Sequence, residues 1–274
     1  MTATVHPFDE AIRLEPLGDG AFAGRSSPAY WNMVGPYGGI TAAQMLHAML
    51  SRPERLGDPV SLTVNFAGPV AEGPLRIRTQ LMRSNRSTQH WTATLLQDGG
   101  DQEGNAELVA AIAMAVFGTR RPVWSHTEAR PPTIAPFETL PRLSRPEAPA
   151  FTRRYDLRFE RSPFESLSTD SRSACWVADH PPRPLDFPAL ASACDVFFPR
   201  IFLRRGKLVP VGTVSLNIYF HADGAALAEQ GASPMLGSAL CHVYQSGYFD
   251  QHGELWGRGD RLLATTHQIV WYRE

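Results

Sequence analysis

The apolar positions of the chain fall into two kinds of run. Within residues 40–50, Ile40, Ala43, Leu46, Met49 and Leu50 recur at helical spacing behind the turn-forming Gly35-Pro36-Tyr37-Gly38-Gly39, which predicts a first long helix. Residues 60–66 alternate instead, with Val60, Leu62, Val64 and Phe66 on one face, the mark of a half-buried strand. Strands over 75–82 and 87–96 follow, joined through Arg83-Ser84-Asn85-Arg86. The stretch 107–117 is almost wholly apolar and rich in alanine, predicting a strand whose small side chains let a helix lie close against it.

Seven prolines then fall between Thr119 and Ala150. Proline fixes φ and has no backbone N–H, so this stretch is neither helix nor central strand and reads as a linker. Beyond it the earlier order returns: a helical segment over 188–203 interrupted at Pro199, an alternating strand over 213–220, strands near 238–249 and 255–257, and a last long strand over 262–272. Laid over each other, 61–66 and 213–218 match in pattern, with Asn65 and Asn217 each in the fifth place. The pattern predicts a divergent internal duplication. It implies an α+β protein with an N-terminal unit over 1–118, a proline-rich linker over 119–150 and a C-terminal unit over 151–274, each unit a helix followed by an antiparallel sheet that wraps it.

Composition narrows the classes of function. The 26 Lys and Arg balance 27 Asp and Glu, a net charge of -1, so nothing electrostatic recommends nucleic acid or an acidic membrane surface as a partner. With 43% hydrophobic and 19% charged residues the 274-residue chain can bury a sizeable core. No run approaches the roughly 20 apolar residues of a membrane span, and the N-terminus, with His6, Asp9, Glu10 and Arg13, lacks the order of a secretion signal. Cys175, Cys194 and Cys241 include no C-x-x-C pair, which fits a reducing, cytoplasmic setting.

Four motifs, Gly35-Pro36-Tyr37-Gly38-Gly39, Ala193-Cys194-Asp195, the strand from Thr213 to His221, and Ala264-Thr265-Thr266-His267-Gln268, occur in this order within the duplicated pattern. Together they resemble the hotdog-fold acyl-CoA thioesterases of the double-hotdog kind, over nearly the whole chain. In the bacterial thioesterase II group an Asp in the second helix, a Thr or Ser in the next strand and a Gln in the last strand hold the hydrolytic water. The resemblance assigns those roles to Asp195, Thr213 and Gln268. It further implies an acyl-CoA substrate, no metal or redox cofactor, and homo-oligomerisation. Two departures bear on substrate choice: Ile40 stands where many relatives carry Gln, and Ala193-Cys194 precedes the Asp where a serine is frequent.

The same residues have chemistry of their own. Asp195, read as helical between Ala191 and Phe198, is an acid among apolar neighbours, so it either holds water or is tied to backbone or to Arg200 or Arg204. Thr213 and Ser215 are read side by side on a polar strand face, where a hydroxyl orients water or merely suits a strand. Gln268 both donates and accepts, or faces solvent. Their first-unit counterparts are read as Ser61 and Met114, and because methionine cannot orient water, one site per chain is expected. Gly38 and Gly39 offer free N–H groups to an oxyanion at the helix start, or allow a tight contact. Arg83, Arg86, Arg200 and Arg204 are candidates for coenzyme A phosphates, with solvated caps as the alternative; Arg205 and Lys207 belong to the same basic cluster. His221, His242 and His267 read as structural, without zinc spacing, and no G-x-S-x-G is present. The competing functions are an acyl-ligand carrier without turnover, and a hydratase or dehydratase recruiting His267 or His221 beside the acid.

Overall fold

The computed structural model describes residues 5–99, 107–160 and 168–274. In chain order the first half comprises α1 (Pro7–Ala11), β1 (Glu15–Gly18), β2 (Ala21–Arg25), α2 (Gly38–Leu50), β3 (Asp58–Phe66), β4 (Pro74–Ser84), β5 (Thr88–Asp98) and β6 (Glu107–Gly118). The second half comprises β7 (Tyr155–Phe159), β8 (Ser173–Asp179), α3 (Phe187–Ala193), α4 (Arg200–Arg205), β9 (Val211–Phe220), α5 (Gly224–Gln230), β10 (Met235–Leu240), β11 (Tyr244–Gln245), β12 (Tyr248–Gly257) and β13 (Arg261–Tyr272). Among the described residues no helix is long and apolar enough to cross a membrane.

Six strands of each half line up in the order β1-β2-β4-β5-β6-β3 and β9-β13-β12-β10-β8-β7, and antiparallel pairing of β3 with β9 joins the two sheets into one of 13 strands that includes β11. Val64 stands opposite Leu216, and the flanking pairs exchange roles, Thr63 opposite Asn217 and Asn65 opposite Ser215. The repeat seen in the sequence is therefore also the register of this seam, with Val64 and Leu216 on a local two-fold axis. Thr63 Oγ1 donates to Asn217 Oδ1 across it at 2.8 Å.

The inner faces of both halves bury their helices in one continuous apolar core. α2 is enclosed almost all round, from Gly39 to Met49. The alanine-rich strand behaves as its composition predicts: Ala111, Ala113 and Ala115 of β6 are buried. The proline-rich stretch is packed rather than free. Phe137 meets Trp176 edge-on, Trp176 Nε1 donates to the Ala135 carbonyl at 2.9 Å, and the Leu143 N–H donates to the Leu157 carbonyl at 2.7 Å.

Three elements differ from expectation. The segment read as helical over 188–203 with an interruption at Pro199 is two short helices, and the break between them is wider, spanning Cys194–Pro199. In an unbroken helix the Pro199 ring would collide with the carbonyl of residue 195, and proline keeps Phe198 extended, so the break falls at Asp195. The strands read over 238–249 and 255–257 are instead β10 and a ten-residue β12, with the tight β11–β12 turn at Ser246 and Gly247, both at positive φ. The register of β9 on β13 slips between Ile269 and Val270, which face Ser215 and Thr213, leaving Val214 as a bulge.

Candidate active site

The end of α3 sets the geometry. Asp186 caps the helix by accepting from the Ala189 N–H at 2.9 Å, and Pro188 fits the first turn. At the other end the chain tightens: the Asp195 N–H donates to the Ser192 carbonyl at 3.2 Å and that of Val196 to the Ala193 carbonyl at 3.1 Å. Asp195 thus sits on a turn just past the helix rather than on its face, and its side chain points across to the N-terminal end of α2.

Three side chains from three elements meet there. Gln268 Nε2 on β13 donates to Asp195 Oδ1 at 2.8 Å, and Thr213 Oγ1 on β9 donates to Gln268 Oε1 at 3.2 Å. The hydroxyl therefore reaches the carboxylate only through the amide, which it orients with the NH2 toward the acid. Gln268 is 2% exposed, which removes its reading as a solvent-facing residue. The bulge is what brings Thr213 in: strict alternation from the buried Leu216 would place Val214 inside, but Val214 is 40% exposed and Thr213 turns inward instead. Thr213 and Ser215 consequently lie on opposite faces, not side by side.

The glycines play unequal parts. A Cβ at Gly38 would fall 2.9 Å from Asp195 Oδ2 and 3.2 Å from Phe66, so Gly38 keeps the approach to the carboxylate open. A Cβ at Gly39 would fall 2.5 Å from the Ser192 carbonyl and 2.6 Å from the Tyr37 ring, so Gly39 serves the close crossing of α2 and α3. The Gly39 N–H is not free, because it donates to the Asp195 carboxylate. Burial pushes the Asp195 carboxyl up to about 7, against the downward pull of the hydrogen bonds from Gln268 and Gly39.

Two residues escaped the sequence reading. Tyr37, fully enclosed, stacks on Phe151 at 4.2 Å and donates to the Ser192 carbonyl at 2.6 Å, the same carbonyl that holds the Asp195 N–H. Gln251, directly opposite Gln268 across β12 and β13, donates from Nε2 to the Phe197 carbonyl at 3.1 Å. Its parity with Leu255 on one strand would have marked it as inward, had residues 250–253 not been read as a break between strands.

The remaining candidates lie elsewhere. Arg200 is completely buried, donating to the carbonyls of Phe198 and Ser171 and to Ser173 Oγ, so it presents nothing to a phosphate. Arg204 donates to the Ser168 carbonyl at 2.9 Å. Arg205 and Lys207 pair with Glu274. Neither Arg200 nor Arg204 is a partner of Asp195. Arg83 and Arg86 sit at the β4–β5 tip beside the Asp58 end of β3, whereas Gly38 touches Phe66 at the other end, about 26 Å away along the strand at ~3.3 Å per residue. His242 Nδ1 and His267 Nε2 both meet Asp250 Oδ2, at 2.7 and 3.2 Å, and His221 meets Thr265 Oγ1 at 3.1 Å. His267 follows the alternation to the outer face of β13, opposite Gln268, so no histidine stands beside Asp195 among the described residues. No cluster of metal-ligating side chains occurs among them either.

The first-half counterpart of Gln268 is Ala113, not Met114. Val64 pairs with Ala113 as its equivalent Leu216 pairs with Gln268, and a slip of one residue in a strand exchanges the two faces. Met114 is 59% exposed on the outer face, and Ala113 has no group to orient anything.

Comparison with known proteins agrees with this architecture. The family model of the acyl-CoA thioesterase N-terminal domain matches residues 27–118, and that of the C-terminal domain matches residues 131–272. A hot dog fold protein of unknown function from Alicyclobacillus acidocaldarius is 44% identical over 99% of this chain and 99% of its own, with a TM-score of 0.93. A putative thioesterase II from Thermobifida fusca is 21% identical over 97% of both chains, with a TM-score of 0.83. The acyl-CoA thioesterase II TesB2 from Mycobacterium marinum is 19% identical over 97% of this chain and 98% of its own, with a TM-score of 0.74. The last two likenesses speak to fold, which is the hot dog fold in tandem. No curated protein matches the chain.

Proposed function

Because the chain belongs to the acyl-CoA thioesterase family, with that family's N-terminal and C-terminal domains in tandem, we propose that it hydrolyses acyl-CoA thioesters with Asp195 as the base. The observation that carries this reading is a carboxylate with its pKa near 7, held by the Gln268 amide at 2.8 Å and facing a helix N-terminus across a glycine. Such a group is half ionised at neutral pH, where a general base works best.

The steps follow from the arrangement. Asp195 takes a proton from water as the water oxygen attacks the thioester carbonyl carbon. Negative charge moves to the carbonyl oxygen, which faces the positive end of the 13-residue α2. As Asp195 becomes neutral, its hold on the Gly39 N–H weakens, and that donor turns to the oxyanion. Collapse of the tetrahedral intermediate breaks the carbon–sulfur bond, and Asp195 returns its proton to the departing thiolate, leaving a carboxylic acid and free coenzyme A. Gln268 fixes the carboxylate throughout and Thr213 fixes Gln268. The engagement of His267 with Asp250 and of His221 with Thr265, rather than with Asp195, favours hydrolysis over hydration or dehydration, for which a second proton-transfer group is wanted.

A survey of acyl-CoA chain lengths, with the released thiol captured by DTNB, tests the proposal. Thiol release well above the buffer rate supports it. Tight acyl-CoA binding with no release at any length identifies an acyl-ligand carrier instead.

A further inference from the structure

The turn that carries Asp195 also carries an aromatic ring into the sheet beside it. The Phe197 ring, 5% exposed, lies against both Gly237 of β10 and Gly253 of β12. A Cβ at Gly237 would fall 2.8 Å from the ring and one at Gly253 2.7 Å from it. The two glycines therefore make a slot in the inner face, two residues along the chain from the proposed base, and the ring fills it.

Two features separate this slot from ordinary core. Gln251 Oε1 and Thr266 Oγ1 are buried side-chain atoms without a hydrogen-bond partner. Both residues border the slot: Gln251 holds the Phe197 carbonyl, and the Thr266 methyl reaches within 2.8 Å of a Cβ at Gly253, the point the ring also approaches. A core closed for stability alone leaves few such atoms unpaired. The backbone, moreover, is pinned on both sides of the slot, Asp195 by Gln268 at 2.8 Å and the Phe197 carbonyl by Gln251 at 3.1 Å. Shortening the Phe197 side chain therefore leaves in place the hydrogen bonds that hold the carboxylate and the backbone.

We propose that the Phe197 ring, by filling the slot over Gly237 and Gly253, closes the acyl pocket beside Asp195, so that Phe197 restricts the protein to short acyl thioesters and a smaller side chain there admits a longer acyl chain into the slot. This rests on the thioesterase reading above. Each further methylene buried is worth about fourfold in kcat/KM, from ~0.8 kcal/mol per CH2. In the wild type that gain should stop after a short chain. In Phe197→Ala and Phe197→Leu it should continue, moving the optimum several carbons longer. Phe197→Met, close to the original in volume and flexible, makes the same test with less risk to folding.

The experiment is kcat/KM across a straight-chain acyl-CoA series from four to sixteen carbons for the wild type and these variants. A wild type that takes long chains as well as short ones overturns the proposal without any variant. So does a folded variant whose length profile superimposes on the wild type. A wild type that hydrolyses no acyl-CoA removes the thioesterase reading and this one with it, whereas hydrolysis at all lengths alike removes this one only.

Discussion

The two halves share a strand order and meet about a local two-fold axis, yet they use the helix and its facing strand for different ends. In the first half α2 runs 13 residues without a break, and the strand beneath it buries Ala111, Ala113 and Ala115. Small side chains let helix and sheet approach and ask for no partners. In the second half α3 stops after seven residues, and the corresponding strand buries Thr266, Gln268 and Val270. A buried amide needs hydrogen bonds, and the turn forced by Pro199 supplies one in Asp195. Neither half makes the candidate site alone: the first contributes the start of a helix and its glycines, and the second contributes acid, amide and hydroxyl. A duplicated scaffold can keep one copy for packing and release the other for chemistry.

The sharpest way to test that division is to remove the acid. Asp195→Asn keeps an oxygen for Gln268 but no base, and kcat should fall by about 10²–10⁴-fold. Its stability should not fall with it. The carboxyl pKa is raised in the folded protein to about 7 from about 4 in the unfolded chain. The native state therefore holds this proton more tightly, and stability declines as pH rises from about 4 to about 7. Melting temperatures measured across that range should decline less in the variant than in the wild type. Equal slopes would mean that Asp195 does not titrate there.

Next in size, Gln268→Ala makes the second half resemble the first at Ala113, and kcat should fall roughly tenfold to hundredfold. In the wild type kcat/KM should rise with pH through an inflection near 7, since Asp195 must be ionised to act as base. Losing the Gln268 donor removes a downward pull on that pKa, so the inflection should move to higher pH. An inflection that stays in place would dissociate the amide from the acid.

The reciprocal change, Ala113→Gln, asks whether the amide suffices. It places a polar group against α2 with no acid on that helix face to meet it. Urea denaturation should show a loss of at least about 1 kcal/mol, and activity per chain should not rise. A second catalytic centre would contradict the asymmetry described here.

Smallest of all, Tyr37→Phe removes the hydrogen bond to the Ser192 carbonyl that also anchors the Asp195 N–H. Stability should drop by about 1 kcal/mol. A several-fold fall in kcat with little change in KM would mark Tyr37 as positioning the acid, and an unchanged kcat would make it purely structural.

Much of this was written in local pattern. Helical spacing over 40–50, alternation over 60–66 and 213–220, and the repeat between them are periodicities of the chain itself, and the pleat and helix turn translate them directly into faces. The short β1, β2 and β7 carried too few residues to declare a period, and the seven of β8 do not alternate cleanly between apolar and polar. The Ala-rich α5, capped by Asp223, was legible but overlooked. The candidate site lay partly in view: an acid among apolar residues, a glutamine in the last strand and glycines before a helix were each visible, though neither the burial of the glutamine nor their relations.

Those relations belonged to tertiary structure. Which face Thr213 takes depends on a one-residue slip against β13, which no property of the strand's own residues sets. Whether Arg200 meets solvent or is sealed against Phe198 and Ser173 depends on what packs over it. The helix break was encoded by Pro199, but its consequence, an acid aimed at the start of another helix, required two segments about 155 residues apart to cross within contact distance of Gly39. Periodicity acts between neighbours a few residues apart and can be read in one dimension. Register, bulges and close crossings are fixed by which distant surfaces exclude water together, and that is settled only when the whole chain has packed.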